Sequence, residues 1–399
     1  MPKSLVYLQS GGPTAVINSS LYGAIVEAKL HPEISGIYGS RYGVEGLIVD
    51  NLIDLRKESD RDIELLKQTP GAVLGTTRKK LPDDIEDPLY TKIINTIQKH
   101  NIGYVFVNGG NDSMDTCANL TRLFDKKGLD IQVLGIPKTV DNDLMVTDHS
   151  LGYPSAAKHV INTIKEAVVD ASCYTHGKLV LVEIMGRNAG WLAAAADLLP
   201  ESCRPDLIFL PESKFDEKEF LDAIGKTYWD KGFAVVAVSE GLNMEREVTA
   251  VDAFGHNSLE GVSIALAKMI EEKLHISTRK IELSLPQRAN PILVSKVDQD
   301  EAIACSRFAI QEVVKGAKGK MVAIKRVSNK PYVSEMYLVD VNKIANFEKK
   351  VPAEMIINNS RMSDSFRDYL SPLIEGEIAI SYKNGIFETS SFRYSKVEE

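Results

Sequence analysis

The chain has 399 residues, of which 44% are hydrophobic and 26% are charged, and it carries a formal net charge of −8. A chain of this length usually fills more than one core, so we expect a globular protein of two α/β lobes. The acidic balance disfavours nucleic-acid binding, which needs a basic surface, and no apolar run reaches the roughly 18 residues that cross a membrane. The cysteines form no CxxC pair and the first residues lack a signal peptide, so we expect a reduced, cytoplasmic protein.

Short apolar strands alternate with polar turns and amphipathic helices along the chain. Strands are predicted over 4–9, 104–107, 133–136, 179–184, 207–210 and 233–238. This alternation indicates βαβ units and mostly parallel sheets, so the predicted class is α/β with two Rossmann-like lobes. The charged stretch after about Val327 is expected to be a C-terminal elaboration that closes the sheet. In such sheets, ligands bind in the turns after the carboxyl ends of the strands.

Two glycine-rich turns follow predicted strands. Gly11 and Gly12 leave backbone amides free to face an anion at the start of a helix, where the helix dipole favours negative charge. Such a pair is more often ordinary turn geometry, and it matches neither GxxxxGK[ST] nor a complete GxGxxG. The stretch Gly109 to Ser113 repeats the device and adds Asp112. This carboxylate is either an acid of the first helical turn or a group beside bound phosphate and metal.

The segment from Pro137 to Asp143 is hard to explain by structure alone. It places one cation, one hydroxyl and two carboxylates directly after an apolar run. Phosphoryl transfer needs a base for the attacking hydroxyl, cations for the charge on the transferring group and oxygen ligands for Mg²⁺. We therefore predict that Asp141 is the base, that Lys138 stabilises charge, and that Asp143 binds the metal or supports its ligands.

Further charged residues follow other apolar segments. Arg187 and Arg288 have guanidinium groups that suit the oxygens of a phosphate monoester. A single arginine is more often part of a surface salt bridge, so neither residue decides the function alone. Glu240 either accepts the hydroxyls of a sugar or is an ordinary acid at a helix start.

These clusters, in this order, resemble the phosphofructokinase family over about Leu5 to Arg288. The resemblance implies the phosphofructokinase fold and transfer of a phosphoryl group to C1 of fructose 6-phosphate, with Mg²⁺ as cofactor. It also implies a homodimer or homotetramer without nucleic-acid or membrane partners. The phosphoryl-donor lobe is expected over 1–150 and about 296–345, and the sugar-phosphate lobe over 151–295 and about 346–399.

The resemblance assigns a role to each cluster, residue by residue. It implies that the catalytic residues are Asp141, Lys138, Asp112 and Thr139, that the donor-binding residues are Gly11, Gly12, Gly110 and Arg78, and that the metal ligands are Asn111 and Asp143. The implied substrate contacts are Thr139, Val140, Asp141, Met185, Gly186, Arg187, Glu240, Leu285, Gln287, Arg288 and Lys178. Lys178 falls at a family position that a neighbouring subunit often supplies.

Two positions indicate the phosphoryl donor. ATP-dependent members usually carry Gly where this chain has Asp112 and Lys138, whereas pyrophosphate-dependent members resemble this chain at both. A carboxylate at Asp112 would repel the α-phosphate of a nucleotide, and Lys138 would offset charge on the leaving phosphate. We therefore expect reversible transfer from pyrophosphate to fructose 6-phosphate, giving the fructose 1,6-bisphosphate of glycolysis.

The sequence departs from the family pattern at two places. Asn111 stands where the family often has Asp, so it brings no charge to the metal, and Ala289-Asn290 replaces the usual Gly-Gly, which alters the 6-phosphate pocket. An ATP-dependent enzyme, an enzyme that prefers sedoheptulose 7-phosphate, and a non-catalytic sugar-phosphate-binding regulatory subunit stay open as alternatives.

Overall fold

The computed structural model describes residues 2–246, 248–251, 257–345, 347–357 and 361–398. Its chain divides into two compact units. The first unit comprises Met1–Ser155, Arg288–Glu348 and Glu375–Glu399, and the second comprises Ala156–Gln287 and Lys349–Ile374. No helix within the described ranges is both long enough and apolar enough to cross a membrane.

The strands and helices alternate along most of the described chain. The strands are β1 (Lys3–Gln9), β2 (Ile34–Ser40), β3 (Leu52–Asp54), β4 (Ile102–Gly109), β5 (Gln132–Pro137), β6 (Leu179–Ile184), β7 (Leu207–Phe209), β8 (Ala234–Ser239), β9 (Val248–Val251), β10 (Asn257–Leu259), β11 (Thr278–Glu282), β12 (Lys320–Asn329), β13 (Tyr332–Asp340), β14 (Ile356–Ile357), β15 (Arg361–Met362), β16 (Tyr382–Lys383) and β17 (Ile386–Phe387). The α-helices are α1 (Ile17–Ala28), α2 (Val44–Ile48), α3 (Asp60–Leu65), α4 (Pro88–Lys99), α5 (Asn111–Lys126), α6 (Tyr153–Ala171), α7 (Trp191–Ala194), α8 (Glu217–Lys231), α9 (Val262–Leu274), α10 (Pro286–Ala289), α11 (Lys296–Val314) and α12 (Asp364–Leu370). Short 3₁₀ helices cover Leu55–Lys57, Ala195–Leu198, Glu201–Cys203, Val341–Lys343, Ala353–Met355 and Ser371–Ile374.

The main sheet of the first unit has the strand order β13-β12-β5-β4-β1-β2-β3. Its central strands pair in parallel, and only the outer pairs β2–β3 and β12–β13 are antiparallel. Leu5 and Tyr7 of β1 belong to one buried cluster, whereas Val6 and Leu8 belong to another. Successive side chains of a strand point to opposite faces, so the sheet has a core on each face. This explains why β1 reads as a continuous apolar run.

The sheet of the second unit has the strand order β11-β6-β8-β7, and all of its pairs are parallel. Leu181 of β6 pairs with Val236 of β8, and both side chains belong to the buried core of this unit. The predicted class, α/β with mostly parallel sheets in two Rossmann-like lobes, is confirmed.

The C-terminal segment departs from the expected lobe boundaries. We expected about 346–399 to belong to one lobe, but only Lys349–Ile374 joins the second unit, while Glu375–Glu399 belongs to the first. Phe392 is buried in the core of the first unit. The Gln68 side-chain amide also bonds the backbone of the segment, which anchors it there. The burial of this aromatic ring and the hydrogen bonds of the backbone explain why this segment joins the first unit.

The crossing into the first unit also falls earlier than expected. It lies at Arg288, within α10, rather than near residue 296. Val294 packs in the core of the first unit, and the amide of Ser295 donates to the Ser155 hydroxyl at 3.2 Å. Arg288 therefore belongs to the first unit and not to the lobe over 151–295 in which it was expected.

Candidate active site

Three adjacent parallel strands of the first unit end at the same edge of its sheet. They are β5, β4 and β1, which are neighbours in the strand order. Gly11 follows β1, Gly110 follows β4 and Lys138 follows β5. Because parallel strands present their carboxyl ends together, segments far apart in the sequence meet here.

The first glycine turn is shaped by backbone conformation and by a neighbouring arginine. Gly11 has a φ of 76°, which glycine adopts without steric cost, and its amide donates to the Thr77 carbonyl at 3.1 Å. A Cβ atom at Gly12 would lie only 2.8 Å from Nη1 of Arg288. Arg288 therefore lies against the predicted donor turn, whereas the sequence had grouped it with the sugar contacts of the other lobe.

Lys138 is buried against that turn. Its side chain is 2% exposed, and its Nζ donates to the Gly12 carbonyl at 2.6 Å. Burial lowers the pKa of Lys138 to about 8, a shift that nearby Asp141 opposes and nearby Arg288 reinforces. A cation thus lies in a dry position beside the backbone amides of the turn.

The loop that carries Asp141 is held by its own polar groups. The Asp141 amide donates to the Thr139 hydroxyl at 3.2 Å, and the Thr139 amide donates to the Leu151 carbonyl at 3.1 Å. Asn142 adopts a φ of 55°, a conformation that Asn tolerates better than most residues. Its side-chain oxygen accepts from the Ser150 amide at 2.9 Å. The half-buried Asp141 therefore has a fixed place, between a buried Val140 and Asn142.

Asn111 and Asp143 lie together and form a pair of side chains whose oxygen atoms could bind a cation. The Asn111 amide nitrogen donates to one Asp143 carboxylate oxygen at 3.1 Å. Their other oxygens, Oδ1 of each, are buried and accept no hydrogen bond from the described residues. Burial also raises the pKa of Asp143, and the hydrogen bond from Asn111 opposes this.

These two oxygens fit a hard cation. Buried polar atoms normally have a partner, and Mg²⁺ typically takes one or two protein oxygens while water and substrate phosphates supply the rest. Among the described residues, no group of three or more His, Cys, Asp or Glu side chains is arranged to hold a metal ion. The pair therefore fits a cation that the substrate helps to bind.

Asp112 lies in the first turn of α5 with its side chain exposed. The residue that caps the helix is Gly110, so Asp112 has no capping role. Its Oδ1 lies 3.0 Å from Nζ of Lys80. Arg78, also exposed, precedes Lys80 in the same segment. Sequence reasoning missed Lys80, because an ion pair between distant segments leaves no local pattern.

The second unit assembles its own group at the carboxyl ends of β11, β6 and β8, which are adjacent. The Met185 amide donates to the Gln287 side-chain oxygen at 3.0 Å, and the Gly186 amide donates to the Glu240 carboxylate at 3.3 Å. Burial raises the pKa of Glu240, which the hydrogen bond from Gly186 opposes. Four predicted contacts, Met185, Gly186, Glu240 and Gln287, are thus brought together.

Arg187 and Leu285 complete this edge of the second unit. Both side chains are exposed, and Leu285 is 57% exposed. The Arg187 carbonyl oxygen would lie 1.9 Å from a Cβ atom at Gly241. The chain after β8 therefore needs glycine to pass the segment that carries Arg187.

Lys178 lies at the opposite end of β6 from Arg187. It precedes the strand, which spans six residues or about 20 Å, and its Nζ donates to the Ser277 hydroxyl at 2.7 Å. Arg279 lies at the same end, on β11 opposite Val180. Within this unit, Lys178 does not join the group around Arg187 and Glu240.

Comparison with known proteins identifies the family. The family model described as phosphofructokinase matches residues 4–313. The chain belongs to the phosphofructokinase family. The resemblance read from the glycine turns and the segment around Asp141 is thereby confirmed.

The relatives cover nearly the whole chain. It is 37% identical, over 404 residues, to the pyrophosphate–fructose 6-phosphate 1-phosphotransferase of Halomonas elongata, an overlap of 98% of this chain and 96% of that protein. It is 30% identical, over 370 residues, to the sulfofructose kinase of Alkalicoccus urumqiensis, an overlap of 92% of this chain and 94% of that protein. A crystal structure of pyrophosphate-dependent phosphofructokinase from Marinobacter aquaeolei matches with a TM-score of 0.91 at 36% identity, covering 100% of this chain and 98% of that one.

Proposed function

We propose that this protein transfers a phosphoryl group from pyrophosphate to C1 of fructose 6-phosphate, reversibly and with Mg²⁺, giving fructose 1,6-bisphosphate. The observation that carries the proposal is the buried Lys138 ammonium, 2.6 Å from the Gly12 carbonyl. A cation fixed in a dry site stabilises charge that develops on a leaving phosphate far better than one in water. Lys138 therefore supplies what pyrophosphate cleavage needs.

Asp141 is the general base of the proposed reaction. It takes the proton of the C1 hydroxyl as that oxygen attacks phosphorus, and the bond to the bridging oxygen of pyrophosphate breaks. The Gly12 amide and the Lys138 ammonium hold the departing phosphate, while the Gly11 amide is bonded to the Thr77 carbonyl. Mg²⁺, bound by Asn111 and Asp143, would neutralise negative charge on the pyrophosphate oxygens.

Asp112 favours pyrophosphate over a nucleotide as the donor. Its carboxylate lies exposed in the first turn of α5 and is balanced by Lys80. A donor with a further phosphate at this place would bring like charges together. Pyrophosphate has no such additional phosphate, so the same carboxylate does not repel it.

The proposed sugar contacts are Glu240, whose carboxylate can accept from hydroxyls, and Arg187, whose guanidinium offers a fork for phosphate. The amides of Met185 and Gly186 donate to the side chains of Gln287 and Glu240 and so hold them in place. Lys178 lies at the far end of β6, so it would serve the site of a second copy. We propose a homodimer or homotetramer on that basis.

The test is an assay of the purified protein with each donor against each acceptor. Pyrophosphate and ATP are combined with fructose 6-phosphate, sedoheptulose 7-phosphate and 6-deoxy-6-sulfofructose. We expect turnover with pyrophosphate, and the highest kcat/KM with fructose 6-phosphate. Asp141→Asn should abolish it, while Asp83→Asn, which changes an exposed carboxylate of the same unit, should not.

Other outcomes of this assay would replace the proposal. Preferred use of ATP would refute the donor assignment, and a higher kcat/KM with either of the other sugars would refute the acceptor. Binding of fructose 6-phosphate without turnover by any pair would indicate the non-catalytic regulatory subunit.

A further inference from the structure

The C-terminal tail, defined here as residues 375–398, is attached to the first unit through its backbone. The Glu58 carboxylate accepts from the amides of Arg393 and Tyr394 at 2.8 and 3.0 Å. The Asp54 amide donates to the Ser395 carbonyl at 2.9 Å. Glu58 is buried. The end of the tail is therefore fixed in one conformation rather than merely resting on the surface.

The tail contributes one ring to a stack of three side chains. The guanidinium carbon of Arg41 lies 3.8 Å from the ring centre of Tyr394 and 5.0 Å from that of Tyr42. A guanidinium over an aromatic face is attracted by the ring. Arg41 thus contacts both an aromatic residue of the tail and its own sequence neighbour.

Both outer members of the stack have unusual backbones. Tyr42 has a φ of 59° and Tyr394 has a φ of 55°, a region that bulky residues seldom enter. Such conformations persist only where the surroundings impose them. For Tyr394 the carboxylate of Glu58 does so, and for Tyr42 the amide donates to the Leu74 carbonyl at 2.9 Å.

The stack contacts the donor loop, defined here as residues 73–78. Nη1 of Arg41 and the Tyr394 hydroxyl both donate to the Val73 carbonyl, at 3.2 and 3.1 Å. The ring of Tyr42 lies against Gly75, where a Cβ atom would be 2.5 Å from the ring. All three side chains of the stack therefore contact the first residues of this loop.

The donor loop in turn holds the first glycine turn. The Thr76 hydroxyl donates to the Gly11 carbonyl at 2.7 Å, and the Thr77 carbonyl accepts from the Gly11 amide at 3.1 Å. Buried amide side chains fix the loop from its inner side, since the Val73 amide donates to Asn18 and the Leu74 amide donates to Gln9. The tail supplies the outer support of the same segment.

We propose that the C-terminal tail positions the first glycine turn, at Gly11 and Gly12, through the Tyr394–Arg41–Tyr42 stack. Tyr394 and Arg41 are then positioning residues for pyrophosphate binding. The link to pyrophosphate rests on the proposed function above. The contact chain runs from Tyr394 to Val73 and from Thr76 and Thr77 to Gly11. Loss of the stack should loosen the donor loop and weaken donor binding, without changing the groups that bind the sugar.

The test compares three tail variants by kinetics and by hydrogen–deuterium exchange. Tyr394→Ala removes the ring and the hydroxyl, Tyr394→Phe removes only the hydroxyl, and Tyr382→Ala changes a 51% exposed tyrosine of the same tail. We expect Tyr394→Ala to raise KM for pyrophosphate about tenfold, or about 1.4 kcal/mol, with KM for fructose 6-phosphate changed less than about twofold. Tyr394→Phe should show a smaller rise, and Tyr382→Ala should match the wild type.

Exchange provides a readout that does not depend on turnover. Backbone amides of residues 73–78 should exchange faster in Tyr394→Ala, while amides of the central strands β1 and β4 keep their rates. If the wild type does not use pyrophosphate, the proposed function fails, but exchange at 73–78 still tests the positioning role. Unchanged exchange there in a folded Tyr394→Ala protein would overturn it. A general rise in exchange, with both KM values rising together, would show a merely structural role and would also overturn it.

Discussion

The Lys138 ammonium donates to the Gly12 carbonyl at 2.6 Å, so the turn after β5 is tied to the turn after β1. The lysine is fully enclosed by protein and keeps a positive charge near Asp141 and Arg288. Asp141 and Asp143 favour the charged form, yet burial outweighs them and lowers the pKa of Lys138. A ligand of opposite charge would complete the compensation of this buried cation.

Lys138→Met should abolish most activity without destabilising the fold. Turnover with pyrophosphate should fall by roughly 10²- to 10³-fold, the usual effect of removing a charge-stabilising group. The pKa of Lys138 is about 8 in the folded protein and lies below the ordinary 10.5. Burying the charged lysine therefore costs folding free energy, and this cost is fully present below pH 8. The melting temperature at pH 7 should therefore stay the same or rise. Lys126→Met, at an exposed lysine, is the control; a melting temperature lowered only in Lys138→Met would contradict the argument.

The same pKa predicts an alkaline limit for donor binding. Lys138 loses its proton as pH rises through about 8, so kcat/KM for pyrophosphate should decline above that pH. A bound anion stabilises the ammonium, so kcat, which reports the complex, should decline only at higher pH. The measurement is a pH series of initial rates. The residual activity of Lys138→Met should lack this limb, and persistence of the limb there would assign it to another group.

Asp143→Asn should weaken the binding of Mg²⁺. The substitution removes the only formal charge of the oxygen pair while it keeps its size, so the Mg²⁺ concentration for half-maximal rate should rise about tenfold or more. Because burial raises the pKa of Asp143, Mg²⁺ binding by the wild type should also weaken as pH falls and the carboxylate is protonated. Titration of activity and calorimetry with Mg²⁺ and pyrophosphate measure both effects.

A control for that experiment is available in the same unit. Asp125→Asn changes an exposed carboxylate that pairs with Lys318, and it should leave the Mg²⁺ requirement unchanged. An unchanged requirement in Asp143→Asn itself would remove Asp143 from the metal site.

The charge of His149 should make the stability of the fold depend on pH. It is fully buried between Asp148, 2.9 Å from Nδ1, and Glu301, 2.6 Å from Nε2. Burial alone would lower its pKa, but the two carboxylates outweigh this and raise the pKa to about 9. Since the folded pKa lies above the ordinary 6.5, the imidazolium stabilises the fold fully below pH 6.5 and loses that effect as pH rises through 9. The neighbouring Arg326 pairs with Asp148 at 2.8 Å.

His149→Asn should therefore lower the free energy of unfolding by about 3 to 5 kcal/mol near pH 6, the usual effect of breaking a buried ion pair. The difference from the wild type should shrink towards pH 9, where the wild-type imidazole is also losing its charge. Urea unfolding at pH 6 and pH 9 measures the difference, with His176→Gln, at an exposed histidine, as control. A difference that does not depend on pH would show that His149 acts by packing alone.

The sequence by itself determined the local chemistry and the class of fold. The glycine turns, the segment around Asp141 and the apolar strands all have short-range patterns, because turn conformation and strand burial depend on neighbouring residues. The strands β12 and β13 escaped prediction. They form a hairpin at the edge of the sheet, in which charged and partly exposed residues follow the buried run Met321 to Ile324, so the apolar pattern covers only part of the hairpin.

Only the tertiary structure decided which distant residues meet. The pairing of Lys80 with Asp112, the approach of Arg288 to Gly12, and the stacking of Arg41 on Tyr394 each join segments far apart in the chain. Strand order and the path of the C-terminal tail determine these contacts. Strand order and the path of the tail depend on burial summed over the whole core rather than on any local pattern. The sequence around each of these residues therefore does not indicate its partner.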